Sequence, residues 1–177
     1  MRILIISDTH GDVRNLAYVI REFGPRIDRI LHLGDGAADL EKLRSKISPS
    51  IPCEAVRGNM DSGSCLPASR VTSVGEHRIY ASHGNTALAG GSLLPLLYAA
   101  RETGAEACLF GHTHVPYKRT SEGVLLLNPG SLSRPRGGWG PTFAILDVPE
   151  DGSDKIVAVH YEILNPGENP SVRSVVP

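Results

Sequence analysis

The chain has 177 residues, of which 41% are hydrophobic, and its formal net charge is -1 at pH 7. This length predicts one domain over residues 1–177, without a separate cap domain, and a core that folds without disulfides or a structural metal. The nearly balanced charge argues against a broad basic surface for long nucleic acid, whereas a small anionic substrate is compatible with it.

The three cysteines, Cys53, Cys65 and Cys108, have no CxxC spacing. An odd number without paired spacing is not typical of a disulfide-stabilised secreted protein, so we expect reduced thiols. The apolar run at residues 3–6 is too short to span a bilayer and leaves no room before it for a signal peptide. We therefore expect a cytoplasmic protein that does not contact membranes.

Buried strands and helices alternate in the first part of the chain. An isoleucine-rich run stops at polar Asp8, and helical spacing of apolar residues then follows Asp12, a candidate N-cap, up to Gly24 and Pro25. An apolar cluster at residues 93–100 predicts a buried helix that begins near Pro95. The predicted elements are strands at 2–7, 29–33, 53–57, 78–82 and 107–110, with further helices at 13–23 and 39–47.

Each of these five strands ends at a polar residue that can bind a metal. In open α/β sheets, ligands bind outside the carboxyl ends of the strands, so these residues are expected to meet at one edge. The candidates are Asp8 and His10 after the first strand, Asp35 after the second, Asn59 after the third, His83 after the fourth, and His112 and His114 after the fifth.

The second part of the chain has fewer helical signals and predicts a second sheet packed on the first. Turn-forming Gly, Pro, Asp and Ser residues separate its apolar runs. The tail at 165–177 contains proline and is expected to lie over the surface. The predicted strands are 117–119, 124–127, 142–148 and 155–162.

The donor set combines carboxylate, amide oxygen and imidazole, which suits Mn, Fe, Zn or Ni. Alternate residues of an extended segment point to the same side, which predicts that Asp8 acts with His10 and that His112 acts with His114. Two cations at close range need a bridging anion, and Asp35 is the candidate. A water that bridges two cations becomes hydroxide near neutral pH and can attack phosphorus in line with the leaving oxygen.

The motifs DTH, GD, GN, H and GHTH, in this order, resemble those of the calcineurin-like metallophosphoesterases, and most closely the small bacterial and archaeal phosphodiesterases of that superfamily. The resemblance covers about residues 1–148, including Asn128-Pro129-Gly130-Ser131 and the Arg134 to Gly138 segment. It implies an α/β fold, a four-layer α/β/β/α sandwich of two sheets flanked by helices. The implied activity is hydrolysis of a small phosphodiester or monoester.

The resemblance also implies how the ligands divide between two divalent ions, with manganese expected and nickel, iron, cobalt or zinc as alternatives. It assigns Asp35, Asn59 and His83 to catalysis. One ion would be held by Asp8, His10, Asp35 and His114, and the other by Asp35, Asn59, His83 and His112.

Two positions depart from the pattern of the resembling family. Met60 follows the GN motif where many members have a histidine that protonates the leaving group, and a thioether cannot do so. Asn85 stands where close relatives have the second histidine of an HGH sequence. Asp61, a metal-activated water or a substrate with a good leaving group are the candidates to replace the missing acid.

Other polar residues have structural interpretations. His32 lies within a predicted strand and is expected to pack in the protein, whereas His77 and His160 are expected at the surface. The segment 128–131 is interpreted first as a turn. Arg134 and Arg136 fit either a phosphate clamp or solvated surface charge, and the sequence does not choose between them.

A second function is also compatible with these motifs, namely a non-catalytic protein-binding scaffold. A retromer subunit that resembles the family uses the same fold for partner contacts. The apolar cluster at 93–100 would serve as an interface if it were exposed. The complete ligand set favours the enzyme, with a small phosphate ester as its substrate, and the sequence leaves homo-oligomerisation open.

Overall fold

The computed structural model describes residues 1–152, 154–167 and 169–177, in which eleven strands and three α-helices form. The helices are α1 (Arg14–Phe23), α2 (Ala38–Lys42) and α3 (Leu94–Glu102), with 3₁₀ turns at Gly24–Arg26 and Arg44–Lys46. The strands are β1 (Arg2–Ile6), β2 (Arg29–His32), β3 (Cys53–Ala55), β4 (Ser69–Val74), β5 (His77–Ser82), β6 (Ala107–Leu109), β7 (Tyr117–Ser121), β8 (Val124–Asn128), β9 (Thr142–Asp147), β10 (Val157–Leu164) and β11 (Ser171–Val175).

Two mixed sheets pack face to face. The first has the order β11-β10-β9-β1-β2-β3, and the second has the order β4-β5-β6-β8-β7. Side chains alternate across a strand, so strand β1 contributes residues to the hydrophobic core on each of its two faces. Ile3 and Ile5 join the core between the sheets, whereas Leu4 and Ile6 pack on the helical side with Leu16 of α1.

The helices cover the outer faces of the sandwich. Helix α1 places Leu16, Val19, Ile20 and Phe23 against the first sheet, where Phe143 stacks on Tyr161. Helix α3 packs on the outer face of the second sheet through a separate core cluster. The predicted four-layer α/β/β/α sandwich is therefore confirmed.

The direction of the strands places the site. Strands β1, β2 and β3 are mutually parallel, and so are β5, β6 and β8. The carboxyl ends of each parallel group lie at one edge of its sheet, and the loops that follow these ends carry the candidate ligands.

Several predicted boundaries were wrong. Strand β4 was missed, because its sequence is mostly polar on both faces and only Val74 is a buried apolar residue. The tail does not simply lie on the surface, since β11 pairs antiparallel with β10. The second helix stops at Lys42, and Asp12 is not an N-cap, because that position is Val13 and has no side-chain cap.

The expectation that His77 and His160 lie at the surface was also wrong. His77 is buried at the start of β5, where its ring contacts Glu106, and His160 is fully buried on β10. His160 Nε2 donates to the carbonyl of Asn128. Both rings lie on the strand face that points into the protein. The neighbouring residues in the sequence do not indicate which face that is.

None of the helices in the described residues is long and apolar enough to cross a membrane.

Removal of β11 tests the correction to the tail. Deleting residues 171–177 removes the five-residue pairing with β10 and the Arg173–Glu162 ion pair. We expect the free energy of unfolding to fall by about 2–4 kcal/mol in chemical denaturation. Deleting only residues 176–177, which lie beyond β11, is the control and should change it by less than about 0.5 kcal/mol. Equal effects of the two deletions would contradict the assignment of β11 as part of the sheet.

Candidate metal centre

The loops after β1, β2, β3, β5 and β6 bring most of the predicted ligands together. Two groups have one candidate ligand atom from each member within 4.8 Å of the others. The first group is Asp8, His10 and His114, and the second is Asp8, Asp35 and His83. Asp8 belongs to both, so its carboxylate lies between two neighbouring sets of donors.

In the first group, imidazole nitrogens surround one carboxylate oxygen. His114 Nε2 lies 3.2 Å from Asp8 Oδ1, and His10 Nε2 lies 3.8 Å from the same oxygen. The two Nε2 atoms are 3.2 Å apart. Two ring nitrogens and a carboxylate oxygen at this separation form a set of converging metal donors.

The second group extends to Asn59. His83 Nε2 lies 3.4 Å from Asp35 Oδ2 and 3.1 Å from Asn59 Oδ1. Asp35 Oδ1 is directed elsewhere and accepts the backbone N–H of Met60 at 2.7 Å. Asp8 is thus the carboxylate common to both groups in this structure, and the bridging role of Asp35 stays a prediction.

His112 is the one predicted ligand outside the two groups and the Asn59 contact. Its backbone N–H donates to Asp8 Oδ2, and its ring centroid lies 5.2 Å from that of His83. Burial lowers the pKa of His112, and the nearby His83 lowers it further. The ring is therefore at the edge of the second group and favours its neutral form, which is the form that binds metals.

The donors converge because their backbone is in the left-handed conformation. Alternation of side chains along an extended segment is not the cause. Positive φ angles occur at Asp8 (55°), His10 (46°), Asp35 (54°), His112 (66°) and His114 (62°). Non-glycine residues rarely adopt this conformation, and it concentrates at functional sites. The predicted pairing of Asp8 with His10 is found, but the reason given for it, alternation along an extended segment, was wrong.

Glycine at position 58 lets the loops after β2 and β3 approach closely. A Cβ there would lie 2.2 Å from Asp35 Oδ1 and 2.3 Å from Asp35 N. Real Cβ atoms do not make contacts this short, so any side chain would displace the Asp35 loop. The GN motif is therefore required by packing as well as by its asparagine.

Backbone carbonyls orient two of the imidazoles. His83 Nδ1 donates to the carbonyl of Leu33 at 2.7 Å, and His114 Nδ1 donates to that of Arg134 at 2.7 Å. A carbonyl only accepts, so each ring keeps a proton on Nδ1 and directs Nε2 into the centre. This arrangement is common for metal-binding histidines, in which the second nitrogen fixes the ring and its tautomer.

Asp8 has the environment expected of a metal ligand. It is fully buried, and Oδ1 has no hydrogen-bond partner among the described residues. Burial would raise the pKa of Asp8, but the rings of His114 and His83 and the Ser7 hydroxyl lower it below its ordinary value. A buried, ionised oxygen without a donor is costly unless a cation compensates it, so these residues fit a bound metal ion.

Asp61 holds the loops in place and is not available as an acid. Its carboxylate accepts the backbone N–H groups of Asp35, Gly36, Ala37 and Gly58. Burial alone would raise the pKa of Asp61, yet these donors lower it, so the carboxylate is ionised at neutral pH. The suggestion that Asp61 replaces the missing leaving-group acid was therefore wrong.

His32 connects the first two loops, in agreement with its predicted packing role. Its Nδ1 accepts the N–H of Gly34, so the ring proton lies on Nε2 and is donated to Thr9 Oγ1. Thr9 Oγ1 in turn donates to Asp39 Oδ2 at 2.7 Å. Burial lowers the pKa of His32 to about 4, so the ring is neutral at pH 7.

The segment 128–131 donates hydrogen bonds to the backbone of the loops that carry the candidate ligands. Asn128 Nδ2 donates to the carbonyl of Gly111, and Ser131 Oγ donates to that of Asp8. Both residues are fully buried, which confirms the structural interpretation of this motif. Sequence reasoning missed these supporting contacts, because they join segments far apart in the chain.

Comparison with known proteins agrees with this geometry. A family model described as the calcineurin-like phosphoesterase superfamily domain matches residues 1–151. The chain belongs to this superfamily. The probable metallophosphoesterase YsnB of Bacillus subtilis strain 168 is 31% identical to it over 153 residues, which are 86% of this chain and 88% of that protein.

Solved structures share the fold of this calcineurin-like domain. A conserved protein of Streptococcus pneumoniae TIGR4, described as a predicted phosphoesterase, has a TM-score of 0.74 and 28% identity, covering 98% of this chain and 97% of its own. Vps29 of Chaetomium thermophilum has a TM-score of 0.77 and 24% identity, with coverage of 99% and 95%. The family and the fold that the sequence motifs implied are confirmed.

The close contact between Gly58 and Asp35 can be tested with two glycine-to-alanine variants of the calcineurin-like domain. Gly58→Ala should push Asp35 away, raise the Kd for manganese at least about tenfold and lower the free energy of unfolding by about 2 kcal/mol. Gly90→Ala is the control, because a Cβ there meets nothing within 4 Å. Metal titration by calorimetry and chemical denaturation measure the two effects. Unchanged manganese affinity in Gly58→Ala would contradict the packing argument.

The pKa of His32 predicts a pH-dependent stability. The folded chain keeps this ring neutral down to about pH 4, whereas the unfolded chain binds a proton near the ordinary value of 6.5. The free energy of unfolding should therefore fall as the pH is lowered from about 6.5 to about 4, with a contribution from His32 on the order of 3 kcal/mol.

His32→Asn, which cannot be protonated in this range, is the comparison for that prediction. We expect it to be less stable at pH 7 but to lose less stability between pH 6.5 and pH 4 than the unmodified chain. Denaturation of metal-free protein at several pH values measures both profiles. Parallel profiles would show that His32 does not stay neutral in the folded state.

Proposed function

We propose that this calcineurin-like domain is a metal-dependent phosphoesterase that hydrolyses a small phosphodiester, or a monoester, at a dinuclear centre. The observation that carries the proposal is the buried Asp8 carboxylate shared by two donor groups. A single ion would leave one of the two groups unused. The family membership supports the same reaction class.

The proposed ligands follow the division that the family resemblance implies. When bound, two divalent ions supply Lewis acidity, which makes water nucleophilic near neutral pH and stabilises charge on the phosphoryl oxygens. Manganese is the proposed metal, and the nitrogen and oxygen donors also suit nickel, iron, cobalt or zinc. One ion is assigned to Asp8, His10, Asp35 and His114, and the other to Asp35, Asn59, His83 and His112.

The side chains of the protein supply ligand charge and orient the reacting groups, but they offer little acid catalysis for the leaving group. Asp35, Asn59 and His83 are proposed to act directly, because their side chains meet at the centre. Met60 contributes its backbone N–H to Asp35, while its thioether is 64% exposed and cannot protonate a leaving group. Substrates with a good leaving group should therefore be favoured.

Arg134 and Arg136 support the phosphate-clamp interpretation. Their backbone is fixed to the centre, because the Arg134 carbonyl accepts from His114 Nδ1 and the Arg136 N–H donates to the His114 carbonyl. Burial lowers the pKa of His10, and the positive charge of Arg134 lowers it further; the hydrogen bond with Asp8 raises the pKa of His114, and the charge of Arg136 opposes this rise. Both residues are exposed, and guanidinium groups anchored beside the centre suit an anionic substrate.

The alternative function, a protein-binding scaffold, rests on the likeness to Vps29 and on the apolar cluster near Pro95. In the structure, the α3 residues Leu96, Leu97 and Ala100 are buried against the second sheet, while Leu94 and Tyr98 remain exposed. Most of the cluster is therefore part of the core. This removes the observation that would have favoured the scaffold over the enzyme.

The activity of metal-loaded protein tests the proposal. The manganese-loaded chain should hydrolyse bis-p-nitrophenyl phosphate or p-nitrophenyl phosphate, and Asp35→Asn should lower kcat/KM by at least about 10³-fold, because it removes a ligand charge. Asp147→Asn is the matched control, since Asp147 lies at the opposite end of the first sheet, paired with Arg2. It should retain full activity.

The proposal is contradicted if neither ester, nor any member of a panel of small phosphodiesters, is hydrolysed with manganese, nickel, cobalt, iron or zinc. Metal analysis by mass spectrometry accompanies the assay. Two bound ions without turnover would leave the metal assignment intact and exclude the enzymatic one.

A further inference from the structure

A polar cavity opens beside the second donor group. It has a volume of about 560 Å³, which is within the range of ligand-binding cavities. The loops after β3 and β5 and the facing ends of β4 and β5 form its walls. Its polar lining includes Arg57, Asn59, Ser69, Ser82, Asn85 and Thr86.

The cavity is continuous with the centre through Asn59. This residue lines the cavity, and its Oδ1 lies 3.1 Å from His83 Nε2. A phosphoryl group held at the donor groups would therefore have one ester oxygen directed toward the cavity. Asn85, the departure from the HGH pattern, stands on the wall beside that path and offers an amide donor.

The charges of the cavity favour an anion. No Asp or Glu side chain lines it in the part of the chain that the structure describes. Arg57 is exposed, and no carboxylate of a described residue pairs with its guanidinium. An unpaired guanidinium at the wall of an otherwise uncharged cavity provides a fork of N–H donors for phosphate or carboxylate.

The polar lining of the cavity points to a ligand with hydroxyl groups. Ser82 lines the cavity and is only 8% exposed, and its Oγ has no hydrogen-bond partner among the described residues. This hydroxyl oxygen is itself closed off from solvent, so Ser82 forms part of the wall but does not contact a ligand directly. The other lining side chains are mostly hydroxyls and amides, and few are large and apolar.

We infer that this cavity binds the alcohol arm of the phosphodiester, and that this arm is hydroxylated and carries its own phosphate, as a sugar phosphate does. The inference rests on the proposed function, since it places the scissile phosphate at the metal centre. Arg57 binds the second phosphate, and Asn85 and Thr86 contact the hydroxyl groups. A long apolar or uncharged aromatic arm lacks these contacts.

Binding of two probes to the manganese-loaded protein tests the inference. Fructose 6-phosphate supplies one phosphate for the centre, and fructose 1,6-bisphosphate adds a second on a hydroxylated arm. In calorimetry, the bisphosphate should bind at least about tenfold more tightly than the monophosphate, and Arg57→Gln should remove this difference. Asn85→Ala should weaken both sugar phosphates about threefold relative to inorganic phosphate.

Arg119→Gln is the matched control, because Arg119 is an exposed arginine on β7, at the far edge of the same sheet. It carries the same charge change and should preserve the difference between the probes. The inference is overturned if the two probes bind equally to the unmodified protein, or if Arg57→Gln preserves the difference. Because binding is measured without turnover, a protein that binds manganese and shows the Arg57-dependent difference but hydrolyses no ester would refute only the proposed function.

Discussion

The buried carboxylate of Asp8 is the constraint on which the rest of the site depends. Its Oδ1 is removed from water, has no hydrogen-bond donor among the described residues and faces the Nε2 atoms of His10 and His114. The imidazoles of His10 and His114 offset its charge only when they are protonated, whereas a bound cation would offset it without that proton. The fold therefore keeps a local free-energy cost that a bound metal ion would relieve.

The surrounding fold maintains that costly arrangement. Strained left-handed backbone at five of the predicted ligands is held by hydrogen bonds from residues that do not face the centre. Asp61 ties together the loops after β2 and β3, His32 joins those after β1 and β2, and Ser131 holds the carbonyl of Asp8. The core of the two sheets makes these loops meet, and the polar contacts then set the positions of the donors.

The sequence was sufficient for the elements whose signal is local. Apolar runs that stop at a polar residue located β1, β2 and β6 together with their candidate ligands, and the motif order indicated the family. Edge strands β4 and β11 were missed, because they contain many polar residues and the pairing partner decides their structure. Asp8 and His10 converge because both have positive φ angles, and the alternation of side chains along a strand does not predict such angles.

Roles that depend on tertiary contacts could not be read from the chain alone. Asp61 and His160 are ordinary polar residues in the sequence, and only the folded loops show that one collects four N–H groups and the other is buried against Asn128. The cavity with Arg57 and Ser82 likewise arises where separate strands meet. The candidate metal donors thus bear on the reaction class, whereas the assembled walls bear on the proposed substrate.

Anomalous diffraction at the manganese edge, from crystals grown with manganese, tests the central claim most directly. We expect two anomalous peaks per chain, one coordinated by Asp8, His10 and His114 and the other by Asn59 and His83, with a carboxylate between them. A structure in which Asp8 Oδ1 contacts no metal, or in which only one of the donor groups binds an ion, would contradict the account.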